Sequence, residues 1–267
     1  MQSAELRKDV LTGRQVVVAP GRSQRPGHKR PPTSVSPDEH DPFAEGSECD
    51  TPDELLSFRR RDTAPNQPGW KVRVVPNRFP AVTVGARSGS GDSIPHSTLL
   101  PAVPFCGTHD VVIECADGRT QWTQLLPAEI QLILTAWQLR LAWLRRTPEI
   151  AGVCIFRNEG PAAGASLAHC HSQMLGFQTP PQTLLDRWER LRSAGTHDVS
   201  LQEQLRQTEL HGAERIVYSE PDLTVLTAFA PAGGGHLRLL PSPQIPAAFE
   251  LCESDFIRRL AEVLHSV

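Results

Sequence analysis

Gly164-Ala165-Ser166-Leu167-Ala168-His169-Cys170-His171-Ser172-Gln173 is the stretch whose reading decides the rest of the chain. A strand from His169 onward alternates its side chains between two faces, placing His169, His171 and Gln173 in one row and Cys170 and Ser172 in the other. Two imidazoles and a carboxamide then share a surface. Just ahead, Gly164, Ala165 and Ser166 form a turn of small residues whose backbone N–H groups can approach an anion, with a hydroxyl beside them. Two co-facial histidines alone are often only satisfied polar groups. The added glutamine and the preceding turn favour a site that handles phosphate.

Upstream of that stretch, Val153-Cys154-Ile155-Phe156 is predicted to be a short buried strand, and Arg157-Asn158-Glu159-Gly160-Pro161 turns the chain into the motif. Pro127 opens a helix in which Ile130, Ile133, Leu134, Trp137, Leu141 and Leu144 recur at helical spacing, the pattern of a face packed on a sheet. Gly107 to Glu114 and Trp70 to Val75 read as strands. The second alternates like a half-buried strand and ends at Pro76-Asn77-Arg78-Phe79-Pro80, where Asn77 suits a turn. Residues 85 to 98, rich in Gly and Ser, are expected to form a surface loop.

Near the start, Thr12-Gly13 marks a turn before a short valine-rich strand. The basic, proline-rich run from Pro20 to Pro37 cannot be a regular helix and is expected to be extended. Arg22 and Arg25 are its candidates for a phosphate, because a guanidinium offers forked, charge-assisted hydrogen bonds. Ser36 to Pro68 is acidic and loop-like, with Asp41-Pro42-Phe43 and Thr51-Pro52 its distinctive features.

Beyond the motif, Pro180 to Arg192 and Val199 to His211 are predicted surface helices. The last quarter then echoes the first half. Ile216 to Leu226 resembles Val74 to Val84, Gly234 to Leu240 resembles Gly107 to Ile113, and a proline-led helix follows each, at 127 to 145 and about 246 to 266. The expected class is α/β (α+β), an antiparallel sheet with flanking helices in two tandem related units. Residues 1–178 carry the motif, and residues 179–267 form a helical connector and a partial second unit. That second unit is expected to lack its last strands, because Val267 follows directly on its helix.

With 267 residues, 39% hydrophobic and 21% charged, the chain can bury one large core or two smaller ones. A net charge of −3 argues against both a nucleic-acid footprint and a polybasic membrane anchor. No apolar run approaches the roughly 18 residues needed to span a bilayer, and the start at Met1 does not read as a secretory signal, so the cytoplasm is expected. The six cysteines are scattered without a Cys-x-x-Cys pair, which fits reduced thiols, and Cys106, Cys115 and Cys154 are expected in the core.

Taken together, Arg7-Lys-Asp-Val-Leu-Thr-Gly13, Arg22-x-x-Arg25-Pro26, Val75-Pro-Asn-Arg-Phe-Pro80, Gly107-x-His109 and Asn158-x-Gly160 through His169-x-His171-x-Gln173 resemble the galactose-1-phosphate uridylyltransferase family of the histidine-triad superfamily. The resemblance runs in order from residue 7 to about 265. It implies a histidine-triad-like fold and an enzyme of galactose metabolism that exchanges UMP between a UDP-hexose and a hexose 1-phosphate. It also implies that His171 attacks the α-phosphorus and carries the nucleotidyl group. In that scheme Gln173 donates to a phosphoryl oxygen, Ser166 and the Gly164 amide hold the departing phosphate, Asn158 supports the phosphates, and Arg22, Arg25 and Asn77 line the nucleotide pocket. A neutral imidazole needs no strong activation for this attack, and a backbone carbonyl is expected to fix which ring nitrogen faces phosphorus.

The resemblance implies a homodimer and, in many members, a structural zinc bound by a Cys-x-x-Cys near 41 to 44, a histidine near 118 and the first motif histidine. This chain has Asp41-Pro-Phe-Ala44 and Asp117-Gly118 there, leaving only His169, so no zinc or other cofactor is expected. Cys170 stands where the family usually has proline, and as it points to the opposite face a modest effect is expected. Two other readings stay open: a phosphorylase acting on an ADP-sugar or a dinucleoside polyphosphate, and a non-catalytic nucleotide-binding remnant.

Overall fold

The computed structural model describes residues 3–11, 13–24, 40–85, 100–193 and 199–267. Thr12, Arg25, most of the proline-rich run and the Gly/Ser-rich segment from 86 to 98 lie outside the described residues. In chain order the elements are β1 (Glu5–Lys8), β2 (Gln15–Val18), β3 (Leu56–Arg59), β4 (Trp70–Pro76), β5 (Ala102–Pro104), β6 (Gly107–Ile113), α1 (Pro127–Leu144), β7 (Gly152–Arg157) and β8 (His171–Phe177). There follow α2 (Gln182–Ser193), α3 (Leu201–Gly212), β9 (Ile216–Glu220), β10 (Leu223–Thr227), β11 (Leu237–Pro241) and α4 (Ser254–Ser266). The fold is mixed α+β, and every pair of named strands that bonds is antiparallel. No helix among the described residues is long and apolar enough to cross a membrane.

Two compact units emerge, one running to Pro180 and taking in Ile257–Val267, the other Pro181–Phe256. The first is built on a five-stranded sheet of order β3-β4-β6-β8-β7, with a smaller three-stranded sheet of order β2-β1-β5. β8 is central: β6 pairs it from Gly107↔Phe177 to Ile113↔His171, and β7 from Gly152↔Phe177 to Arg157↔Ser172. Gly107 is required there by space, because a Cβ on it would sit 1.9 Å from the Gly176 carbonyl oxygen. The second unit holds α2, α3 and the sheet β11-β10-β9, whose apolar centre includes Leu223, Val225, Leu226 and Leu240.

The sheet's two faces carry different chemistry because side chains alternate. Val111, Ile113 and Trp70 with Val75 form a buried apolar cluster under Phe43. The other face takes α1, whose Ile130, Ile133, Leu134 and Leu144 are fully buried. Polar groups cross that interface as well: Arg140 Nε donates to Asp110 Oδ2 at 2.7 Å, and Trp137 Nε1 donates to Ser172 Oγ at 2.9 Å. The start of α1 is pinned by Glu129, which accepts from the Leu126 amide at 2.8 Å and from both Arg119 terminal nitrogens at 2.7 Å.

Several expectations change. β8 begins at His171, so His169 and Cys170 precede the strand; the Cys170 amide is instead taken by the Arg119 carbonyl at 2.7 Å. Pro20–Gln24 coils into a 3-10 turn where an extended segment was expected. β3 lies inside the supposed loop from 36 to 68, and β4 is covered on both faces, with Val72, Arg73, Val74 and Val75 all buried. β7 is an edge strand, which leaves Cys154 exposed while Cys106 and Cys115 are buried as expected. The final helix starts at Ser254 because Phe249–Leu251 forms a separate 3-10 turn ended by Cys252 in an extended conformation.

Candidate active site

A cavity of about 320 Å³ opens on the Phe43 side of the five-stranded sheet. His171 and Gln173 on β8 and Val111 on β6 lie in its lining, since the pairing Val111↔Gln173 puts these side chains on one face. The end of β4 adds Val75 and Pro76, the turn after it adds Asn77 to Phe79, and Ser166 and Leu167 come from the loop that precedes β8. The remaining wall is His40, Pro42, Phe43 and Asp50 to Pro52. That wall was not assigned from sequence; its only signals were the Asp41-Pro42-Phe43 and Thr51-Pro52 punctuation, which names no ligand. His40 Nε2 and Asp50 Oδ2 stand 2.8 Å apart within it.

His171 is nearly buried, with the Phe43 ring edge-on at 5.3 Å. Its Nδ1 lies 2.8 Å from the His169 carbonyl oxygen, which can only accept. Nδ1 therefore carries the proton and donates it there, placing the neutral ring's lone pair on Nε2. The expectation that a backbone carbonyl sets the ring nitrogen is met by this geometry.

Gln173 is likewise buried, its Oε1 2.9 Å from His109 Nε2. The other nitrogen of that ring, Nδ1, accepts from the Ala81 amide at 2.9 Å. Asn77 anchors the same corner: its amide donates to the His109 carbonyl at 2.7 Å, and its Oδ1 accepts from the Phe79 amide at 2.8 Å. Asn77 thus does cap the turn, as expected from sequence, while also facing the cavity. Arg22 does not line the cavity; its Nη1 donates to the Phe79 carbonyl at 2.8 Å, so it braces the wall from behind, and burial lowers its pKa. Arg25 lies outside the described residues.

The turn before β8 behaves differently from its sequence reading. Gly164 sits in the left-handed region at φ 81°, closing the 3-10 turn Pro161–Ala163. Its amide donates to the Pro161 carbonyl at 3.0 Å and the Ala165 amide to the Gly160 carbonyl at 3.2 Å. Two of the three N–H groups offered to an anion, those of Gly164 and Ala165, are thus engaged inside the turn, and neither Gly164 nor Asn158 lies in the cavity lining. Ser166 alone of that turn faces the cavity.

His169 leaves the His171 row altogether. Its Nδ1 is 2.7 Å from Asp41 Oδ2 and its Nε2 is 2.8 Å from the Cys115 carbonyl, with Cys115 Sγ at 3.4 Å. Burial opposes charge on the ring, but the Asp41 carboxylate and the Cys115 acceptors outweigh it and raise the pKa to about 10. Burial also opposes charge on Asp41, yet its bond to His169 holds the carboxyl below its ordinary range. With both ring nitrogens donating, no imidazole lone pair is left for a metal. Among the described residues no group of three or more His, Cys, Asp or Glu could hold one. The residues present do not fit the zinc that the resemblance brings to this position.

On the opposite face a charged network underlies the site. Glu114, fully buried, accepts from Trp122 Nε1 at 2.7 Å and Arg157 Nε at 3.0 Å, and Arg157 Nη2 reaches Cys170 Sγ at 3.2 Å. Burial raises the Glu114 pKa, opposed by Arg157 and Trp122.

Residues 1–181 match the family model described as galactose-1-phosphate uridyl transferase, N-terminal domain. An ADP-glucose phosphorylase from Arabidopsis thaliana is 34% identical over 189 residues, covering 70% of this chain and 52% of the relative. A galactose-1-phosphate uridylyltransferase from Streptomyces lividans is 26% identical over 196 residues, covering 73% of this chain and 49% of the relative. The crystal structure of an ADP-glucose phosphorylase from Arabidopsis thaliana with bound ADP-glucose superposes with a TM-score of 0.66 at 27% identity, over 99% of this chain and 76% of that one. The chain spans about half the length of the curated relatives it matches.

Proposed function

The chain belongs to the galactose-1-phosphate uridyl transferase family, and on that premise we propose that it transfers a nucleotidyl group from a nucleoside diphosphate sugar through a covalent intermediate on His171. The observation that carries this reading is the ring of His171, whose Nδ1–H is committed to the His169 carbonyl so that Nε2 holds the lone pair at the cavity. In the first step Nε2 bonds to the α-phosphorus as the bond from that phosphorus to the bridging oxygen breaks. Sugar 1-phosphate leaves with the bridging oxygen and its electron pair. In the second step an acceptor phosphate oxygen attacks the same phosphorus and the electron pair returns to Nε2. Holding the ring in line supplies roughly 7–11 kcal/mol through orientation. Gln173 donates to a non-bridging oxygen as charge builds there, Ser166 receives the departing phosphate, and the Asn77 side-chain amide binds the nucleotide end.

Two substrate pairs share that first step. UDP-hexose with hexose 1-phosphate is the pair the family match brings to mind, supported by the Streptomyces lividans relative. ADP-glucose with inorganic phosphate is favoured by the higher identity to the Arabidopsis thaliana phosphorylase. Incubation with UDP-glucose or ADP-glucose radiolabelled at the α-phosphorus, followed by an alkaline quench that preserves phosphohistidine, separates them. We expect the label on protein from one of the two and a loss of at least about 10⁴-fold in transfer for His171→Gly. Nucleotide binding without labelling from either sugar would reduce the chain to a binding remnant.

A further inference from the structure

His109 is buried between the turn at 77–81 and β8, and the transfer scheme gives it no part. Its bonding nonetheless fixes which end of Gln173 meets the substrate. A glutamine amide can present its oxygen or its nitrogen, because the terminal torsion is broad and the two ends differ little in size. Only the NH2 end can donate to a phosphoryl oxygen. The Ala81 backbone N–H cannot be reversed, and it points at His109 Nδ1 from 2.9 Å, so Nδ1 must accept. A neutral ring then carries its proton on Nε2, 2.9 Å from Gln173 Oε1. Asn77 Nδ2 lies 3.2 Å from the same Nε2, but two donors cannot bond each other, so this contact does not compete. If the Gln173 amide were turned over, its NH2 would also face that N–H. The NH2 of Gln173 therefore stays directed away from His109.

We propose that His109 is a positioning residue that holds Gln173 with its NH2 group toward the transferring phosphoryl, the orientation being set by the Ala81 amide and passed through the imidazole without proton transfer. The inference deepens the role given to Gln173 above and rests on it. It gives a loop residue with an ordinary side chain, Ala81, a part in the chemistry through its backbone alone.

Two near-isosteric variants separate positioning from mere packing, because asparagine reproduces the Nδ1 end of an imidazole and glutamine the Nε2 end. His109→Gln can still donate to Gln173 Oε1 but loses the acceptor for Ala81, whereas His109→Asn keeps that acceptor and loses the donor. Removing one transition-state donor outright, as in Gln173→Ala, costs about 10²–10³-fold in kcat. We expect His109→Asn to lose most of that in kcat with little change in KM, His109→Gln to recover part of it because its amide still offers a donor but is no longer keyed by Ala81, and His109→Asn to add nothing in the Gln173→Ala background. His109→Asn outperforming His109→Gln, or equal additive losses in both backgrounds, would overturn the proposal. Heteronuclear NMR of the histidine ring nitrogens tests the same point without turnover: His109 should be neutral with its proton on Nε2, and a proton on Nδ1 would refute it. An enzyme that fails to label with either nucleotide sugar, yet shows this tautomer, would sink the transfer scheme and leave the ring's orientation of Gln173 standing.

Discussion

At the residue scale, the chain uses its two motif histidines for opposite purposes. His171 keeps a lone pair by donating from Nδ1, whereas His169 donates from both nitrogens and holds the loop at Asp41 against the strand start. Spacing alone put them in one row, because a strand beginning at His169 would have alternated; the turn's own hydrogen bonds delay the strand to His171. The Asp41–His169 pair gives a pH signature whose sign follows from the two shifts. A histidine raised from 6.5 to about 10 contributes stability that is complete below the lower value and fades as pH climbs through the higher one. Asp41, shifted downward, contributes above its ordinary 3.8 and loses that only as pH falls through its lowered value. Asp41→Asn should therefore cost about 1–3 kcal/mol near neutral pH, discounted because Asp41 is partly exposed, and should flatten the alkaline decline seen in urea titrations. An unchanged decline would mean that the pair does not govern it. Metal analysis should find no stoichiometric zinc, and chelator should leave the unfolding curve where it was.

At the element scale, β8 ties the site to the helix-side network through its alternation. The His171 and Gln173 face meets the cavity, while Ser172 meets Trp137 of α1 and Cys170 meets Arg157 at the end of β7. These elements were legible in sequence where the apolar signal was strong: α1 from its many apolar residues and Pro127, although Trp137 and Leu141 of the expected stripe are not fully buried, and β6 and β4 from their apolar runs. The loop from 40 to 52 was not, because a wall built from prolines, Phe43 and a His40–Asp50 pair has no period to detect. Nor was the partner of Gln173, since only pairing in three dimensions brings His109 of β6 beside it. Arg157→Met tests the network. It leaves the Glu114 carboxylate buried with its chief cation gone, for an expected loss of about 3–5 kcal/mol. Burial already raises that carboxyl, so the loss should be larger near pH 8 than near pH 5, because protonation, which grows as pH falls, relieves the unpaired charge. Equal losses at both values would show that Arg157 acts through packing instead.

At the scale of the whole molecule, family membership and the antiparallel α+β fold agree with what the dispersed motifs implied, and the substrate pair is the open choice. The family match covers residues 1–181, and the cavity residues all fall within that span. Labelled protein isolated from the first step should return its nucleotidyl group to the correct acceptor only. A chase with galactose 1-phosphate, glucose 1-phosphate and inorganic phosphate therefore reads the acceptor independently of the donor. The account rests above all on His171 as the atom-bearing nucleophile, and peptide mapping by mass spectrometry after reaction with UDP-glucose or ADP-glucose tests that directly. It predicts one nucleotidyl group on the peptide containing His171, absent from His171→Gly and removed when acceptor is added. A nucleotidyl group on His169 or elsewhere, or none with either sugar nucleotide, would contradict it.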